Sequence, residues 1–270
     1  MSVEAGPPVA LFVPDGNSCF LPTAASSGPW NPEVLHGGAV SALLAGLLED
    51  PDRVLVRVLV ELLGPVPRTL LRAEVSPTEG GRRVVRQSVV LTAGDRPVAR
   101  ASALRMRRAD VDLPESATNH AVVFDPQGVP DLANPNRHAA TQVGWDSFDS
   151  TAMATRWERQ GPGERRRLWL RLLVPVVPGR APSLVERVVA AADYGSAGTS
   201  ARLDFQSWSF MNADLVVSLS RPPAGEWIGL ECEGLLSRTG TGLSVTSIHD
   251  ELGPLGQSSQ SILLEPRVRP

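Results

Sequence analysis

"EVLHGGAVSALLAGLLED", residues 33–50, sets His-Gly-Gly directly ahead of a run that has no polar side. Helices on the surface of a soluble protein usually carry an apolar stripe and a charged one. Here charge arrives only at Glu49 and Asp50, so the stretch predicts a helix over about 37–49 that is buried all round. Gly37 and Gly38 at its start admit two readings. Without a Cβ they let another group approach the exposed N–H groups of a helix start. Equally, they suit a tight turn into the helix where only glycine fits against a neighbouring strand.

Working outward, "VLVRVLVELLG" (54–64), "TLLRAEVSP" (69–77), "RRVVRQSVVLT" (82–92) and "RPVARASALRMRR" (96–108) are Val-rich and partly alternating. Turn signals such as "TEGG" and "AGDRP" bound them, so they read as antiparallel strands wrapped around the helix. Residues 109–142 are rich in Pro, Asn and Asp and poor in period, which is linker composition. The order then recurs. "RRRLWLRLLVPVV" (165–177) is extended, "APSLVERVVAAADYG" (181–195) is helical, and further extended segments run to the end.

The endings of the halves overlay without gaps when Pro97 is set on Pro254, which brings Val98 onto Leu255, Ser102 onto Ser259 and Ala103 onto Gln260. Two tandem copies of one α+β unit is the economical reading; the alternative is a chance likeness of two hairpins. The domain expectation is an N-terminal unit over 1–115, a linker over 116–142 and a C-terminal unit over 143–270.

The totals exclude several classes. A net charge of −3 gives no basic field for nucleic acid or an anionic membrane. The two cysteines, Cys19 and Cys232, are far apart and form no CxxC, which argues against a disulfide framework and structural zinc. The first residues, "MSVEAGPPVALFVPDG", lack the basic start and long apolar run of a signal peptide, and no stretch approaches a membrane span. A cytoplasmic protein is expected. Every basic residue is arginine, which with the Ala, Val, Gly and Pro content points to a GC-rich, actinobacterial source.

"GPWNPEVLHGGAVSALLAG" opening the first half, with "LDFQSWSFMNADL" and "GEWIGLECEG" followed by "GLSVTSIHDELGPLGQSSQSILLEPR" in the second, resembles the acyl-CoA thioesterase superfamily. The likeness is to double-hotdog proteins of the thioesterase II type and covers nearly the whole chain. It implies an α+β double hotdog: two tandem units, each an antiparallel sheet around a long central helix. It also implies a thioester hydrolase of fatty acid metabolism that acts on small-molecule acyl thioesters. Coenzyme A would enter only as part of the substrate, with no other cofactor and no metal. Two hotdogs in one chain replace the usual dimer, and further pairing into a homo-oligomer stays open.

Thioester hydrolysis needs a carboxylate, oxyanion donors and an apolar slot. His36, Gly37 and Gly38 suit the second need, with two glycine amides as donors and His36 orienting the loop. In single-hotdog relatives with this motif the acid lies nine residues past the histidine, where this chain has Ala45. Setting the second helix on the first brings Asp193 near that place, and the resemblance makes Asp193 the acid and Gln260 its glutamine. The resemblance also implies a threonine or serine on the strand after the second helix, and direct alignment puts Arg202 at the threonine's place. Ser200, on the same face if a strand already begins there, and Thr199 are the candidate hydroxyls.

Two other functions are open. A dehydratase or hydratase would want a histidine near the helix Asp, and the sequence displays no such pairing; a non-hydrolytic acyl-thioester-binding protein would suit the missing threonine. "ERRRLWLRL" (164–172) either meets the phosphates of coenzyme A or is an outward strand face. His120 and His138 fall in the linker, and His249 precedes a turn and is expected at the surface.

Overall fold

Residues 39–45 are all Ala, Val, Leu or Ser, and nothing in them breaks a helix. In the computed structural model, which describes residues 10–117, 144–158, 165–200, 202–204 and 207–267, helix α1 spans Gly37–Leu47. Every residue from Gly38 to Ala45 is buried, as the lack of a polar side demands. His36 caps the helix from an extended backbone, with its Nδ1 3.0 Å from the Gly38 nitrogen. Helix α2 spans Leu184–Ala192 and starts with a reciprocal cap. The Ser183 hydroxyl accepts from the Glu186 N–H, and the Glu186 carboxylate accepts from the Ser183 N–H. The chain stays helical past α2, through a tight turn over Asp193–Ser196 and a last turn over Ala197–Ser200.

The helices cross antiparallel at close range. A methyl on Gly38 would stand 2.9 Å from the Ala190 carbonyl oxygen, and one on Gly46 3.0 Å from Glu186 Cδ. Both are inside ordinary contact, so α1 needs hydrogen at these positions to lie against α2. Glu186 is fully buried there and ion-paired with Arg180, which satisfies a charge that would otherwise be costly to bury.

Alternating Val and Leu build the strands, with Val58 and Val60 of β3 fully buried. The first-half strands are β1 (Phe12–Pro14), β2 (Cys19–Pro22), β3 (Arg53–Leu62), β4 (Leu71–Val75), the short β5 (Glu79–Gly80), β6 (Val84–Ala93) and β7 (Arg96–Arg107). The second half supplies β8 (Met153–Trp157), β9 (Arg166–Leu172), β10 (Trp208–Asn212), β11 (Asp214–Leu219), β12 (Ile228–Leu236), β13 (Thr241–Asp250) and β14 (Gly253–Pro266).

All pair antiparallel in one sheet of order β1-β2-β4-β6-β7-β3-β11-β14-β13-β12-β9-β8, with β5 on β6 and β10 on β14. The halves meet where β3 pairs with β11, Val60 opposite Leu215. One continuous core takes side chains from both helices and both halves of the sheet.

The overlaid hairpins share an irregularity. Pro97 pairs with Thr92 and Ala99 with Leu91, so Val98 is the extra residue of a bulge. Pro254 pairs with His249 and Gly256 with Ile248, so Leu255 is extra in the same way. The Val98 carbonyl accepts from the Leu63 N–H at 3.0 Å, and the Leu255 carbonyl from the Ser220 N–H at 2.9 Å. Ala103 and Gln260, matched in that overlay, are both buried.

Some expectations are corrected. Trp208, and not the residues around Ser200, begins the strand after α2. Gly198 lets the last helical turn lie on β12, where a Cβ would meet the Glu233 backbone at 2.6 Å, so the chain there stays coiled. His249 lies half-buried within β13. Most of the expected linker, including His120 and His138, lies outside the described residues. Among the described residues no helix is long and apolar enough to cross a membrane.

Candidate active site

Asp193 ends α2, and the antiparallel crossing carries it to the start of α1. A methyl on Gly37 would sit 3.0 Å from both of its carboxylate oxygens. The tight packing at Gly38 is against α2 and not, as expected, against a strand, while Gly37 lies against the Asp193 carboxylate.

Asp193 is nearly inaccessible, and its polar partners come from three directions. Asn212 Nδ2 donates to Oδ1 at 2.7 Å. Gln260 Nε2 reaches the same oxygen at 3.2 Å and the Asp193 carbonyl at 3.1 Å. His36 Nδ1 stands 3.1 Å from Oδ2. Gln260 comes from β14 and Asn212 from β10, which pairs with it.

A second carboxylate faces the other side of the imidazole. Ser147 caps a π-helical turn over Phe148–Ala152, and the Phe148 N–H is bonded to the Ser27 carbonyl ahead of α1. That docking puts Asp149 Oδ1 3.7 Å from His36 Nε2. The Tyr194 hydroxyl donates to the same Asp149 oxygen at 2.6 Å. Burial first, and then the Asp149 charge, holds the Tyr194 phenol well above its ordinary range, so it remains a donor. The imidazole also stacks on Phe148 and Tyr194, with ring centroids 4.7 and 5.7 Å away.

His36 Nδ1 lies within reach of both the Gly38 N–H and Asp193, and one nitrogen cannot serve both. Bare, it accepts from Gly38; protonated, it donates to Asp193. Burial by itself would lower the His36 pKa. The Asp149 charge and the hydrogen bond to Asp193 outweigh burial and raise it above the ordinary 6.5. The folded state therefore favours the charged ring. Its contribution to stability is fully present below pH 6.5 and is lost as pH rises through the elevated folded value. Melting temperatures of wild type and His36→Gln should accordingly converge as pH climbs above 6.5. A difference that stays flat across that window would contradict the ion pairing.

These groups meet at the wall of a cavity of about 840 Å³, whose lining includes His36, Gly37, Asp149, Asp193, Tyr194 and Asn212. Its apolar lining includes Val34, Leu35, Leu62, Val66 and Phe210. Gln260 is 1% exposed and is not among the lining residues; it stands behind Asp193.

The expected hydroxyls do not reach the acid. Ser200 lines the cavity but donates to the Ala197 carbonyl at 3.0 Å. Thr199 is fully buried beneath the wall, and its hydroxyl has no protein partner among the described residues. Arg202 is exposed. None of the arginines of 165–172 lines this cavity, and three of them face carboxylates: Arg165 is 3.0 Å from Glu233, Arg167 3.6 Å from Glu231 and Arg171 3.4 Å from Glu226. They form an outward strand face. Among the described residues no cluster of His, Cys, Asp and Glu could hold a metal.

Asn212, Asp149 and Tyr194 were not legible as site residues. Tyr194, the chain's single tyrosine, directly follows the candidate acid, which was a usable signal. Asn212 and Asp149 stand in stretches with no pattern of their own. The histidine near a helix Asp that dehydration chemistry would want, invisible in the sequence, exists in space.

Known proteins share the fold. A thioesterase II assignment belongs to a protein of Thermobifida fusca YX that shares the fold, with a TM-score of 0.72 at 14% identity over 96% of each chain. A hot dog fold protein of unknown function from Alicyclobacillus acidocaldarius superposes with a TM-score of 0.68 at 15% identity, over 95% of this chain and 96% of its own. An acyl-CoA thioesterase II from Mycobacterium marinum gives 0.61 at 16% identity, over 93% and 94%. No curated protein matches the chain. The acyl-CoA thioesterase N-terminal domain profile matches residues 26–106, which hold His36 and Gly37. The acyl-CoA thioesterase C-terminal domain profile matches residues 118–264, which hold Asp149, Asp193, Asn212 and Gln260. With the two sides of one site supplied by the two matched segments, the chain belongs to the acyl-CoA thioesterase family.

Proposed function

We propose that this protein hydrolyses acyl thioesters of the acyl-CoA class with Asp193 as the base. The observation that carries the reading is a carboxylate on the wall of an apolar cavity, held by donors from Asn212, Gln260 and His36. Asp193 takes a proton from a water, and the hydroxide adds to the thioester carbon. Gly37 opens α1, so its N–H has no partner within the helix and sits at the positive end of the helix dipole. That N–H stabilises the oxyanion, and His36, which caps the helix, orients the loop that presents it. Collapse of the intermediate expels the thiolate, which receives the proton from Asp193.

Asn212 takes the place of the expected hydroxyl, and Gln260 is a positioning residue that fixes Asp193 from behind. Ser200 contributes to the substrate wall, and Thr199 has no part in the chemistry. The acyl chain occupies the apolar part of the cavity. The shared bulges at Val98 and Leu255 support a finer reading of the fold, as two tandem hotdog units over about 1–115 and 143–270 with a linker between them.

One observation favours a second reading, a non-hydrolytic acyl-thioester-binding protein: among the described residues no hydroxyl is bonded to Asp193. Thiol release from acyl-CoAs of increasing chain length separates the two, and release well above background is expected. Binding without release at any length would support the second reading. Conversion of a 3-hydroxyacyl thioester to the enoyl product would instead reassign His36 and Asp193 to dehydration.

A further inference from the structure

The mouth of the cavity holds a pair that the hydrolysis does not use. Trp30, in the loop ahead of α1, is 46% exposed, and the Arg267 guanidinium carbon lies over its ring at 4.7 Å from the centroid. Arg267 Nε donates to the Trp208 carbonyl at 3.2 Å, and among the described residues its two terminal nitrogens have no hydrogen-bond partner, so they can meet an anion. Both residues line the cavity, and among the described lining residues Arg267 is the one arginine. Met211 and Leu263, paired across β10 and β14, add apolar surface at the same rim. The mouth is thus cationic and aromatic, while the floor carries Asp149 and Asp193. A guanidinium stacked on an indole keeps its donors in a fixed plane, which suits a phosphate better than a free side chain would.

The spacing also fits. The Arg267 guanidinium is tied to Trp208, and Asn212, which touches the acid, lies four residues along the same strand, a span of ~14 Å. The pantetheine arm between thioester sulfur and phosphate contains a little over four residues' worth of backbone bonds, ~15 Å when extended. A thioester carbon beside Asp193 therefore carries its phosphate to the mouth.

We propose that Arg267, stacked on Trp30, is the phosphate site for the phosphopantetheine arm of the thioester substrate. The assignment rests on the hydrolase reading of the Asp193 site. Calorimetric titration of wild type and Arg267→Gln with pantetheine, 4′-phosphopantetheine and free coenzyme A tests it without any turnover. Wild type should bind phosphopantetheine about tenfold or more tighter than pantetheine, the scale of a charged hydrogen bond. Arg267→Gln should erase that preference and leave pantetheine affinity unchanged, and Trp30→Leu should reduce it.

Coenzyme A bound no tighter than phosphopantetheine supports a carrier-protein arm as the source; coenzyme A bound tighter supports the nucleotide carrier. The proposal is overturned if Arg267→Gln keeps the preference, if it weakens pantetheine equally, or if wild type is indifferent to the phosphate or binds none of the three. An Arg267-dependent preference in a protein that releases no thiol would retire the hydrolase reading and leave this site standing.

Discussion

Asp193→Asn should lower thiol release by about 10²–10⁴-fold, the contribution of a positioned general base, and should leave the fold intact. The substitution is nearly isosteric, and its partners adapt. The asparagine oxygen can still accept from Asn212 and Gln260, and its NH₂ can donate to a neutral His36 Nδ1 at the place where the carboxylate accepted. Burial of His36 remains while one of the two groups that raise its pKa is lost, so the imidazole should titrate lower than in wild type. Steady-state kinetics on acyl-CoA and an NMR titration of His36 check the two halves of this expectation together. Wild-type rates in the variant would sink the assignment. A lost rate with an unmoved His36 would place the effect outside the His36–Asp193 pair.

Gly38→Ala should destabilise the protein by about 1–3 kcal/mol, although the same change in an exposed helix is stabilising. The added methyl meets the Ala190 carbonyl oxygen at 2.9 Å and Phe148 Cε1 at 3.0 Å. The first belongs to the backbone of a buried helix and the second to a ring stacked on His36, so neither yields without moving the site. For a domain of this size the loss corresponds to a melting temperature lower by roughly 2–10 °C. Activity should fall with it, because α1 can only relieve the contact by carrying Gly37 and His36 away from Asp193. A melting temperature equal to or above wild type would mean that the helices are not in contact at this point.

Much of the fold was legible because it depends on local pattern. An apolar run with no polar side can only be a helix in the middle of something, and α1 is buried from Gly38 to Ala45. Val-rich alternation between Gly and Asp turns located β3, β4, β6 and β7 to within two residues, whereas β8 carried no such signal. The overlay of Pro97 on Pro254 was a thin signal in residue identity, yet it lands on equivalent bulges, because a proline that cannot donate to the ladder fixes where pairing must slip. Asp193 became a candidate by another route: the resemblance asks for a carboxylate where the first helix has Ala45, and Asp193 stands near the matching place on the second.

The sequence by itself determined most of the elements and their order, since these rest on spacing within a short window, and its resemblance to the acyl-CoA thioesterases made Asp193, Gln260 and the glycine pair candidates. Only the tertiary structure decided who meets the acid. The antiparallel crossing of α1 and α2 brings His36 of the first half to Asp193 of the second. Pairing of β10 on β14 aims Asn212 at the carboxylate, while the coiled turn over Ala197–Ser200 keeps Ser200 and Thr199 from it. Docking of the Phe148–Ala152 turn on Ser27 adds Asp149. Periodicity reports which face of an element is buried; it carries no information on which distant element covers that face. The donors around Asp193 are set by that second fact.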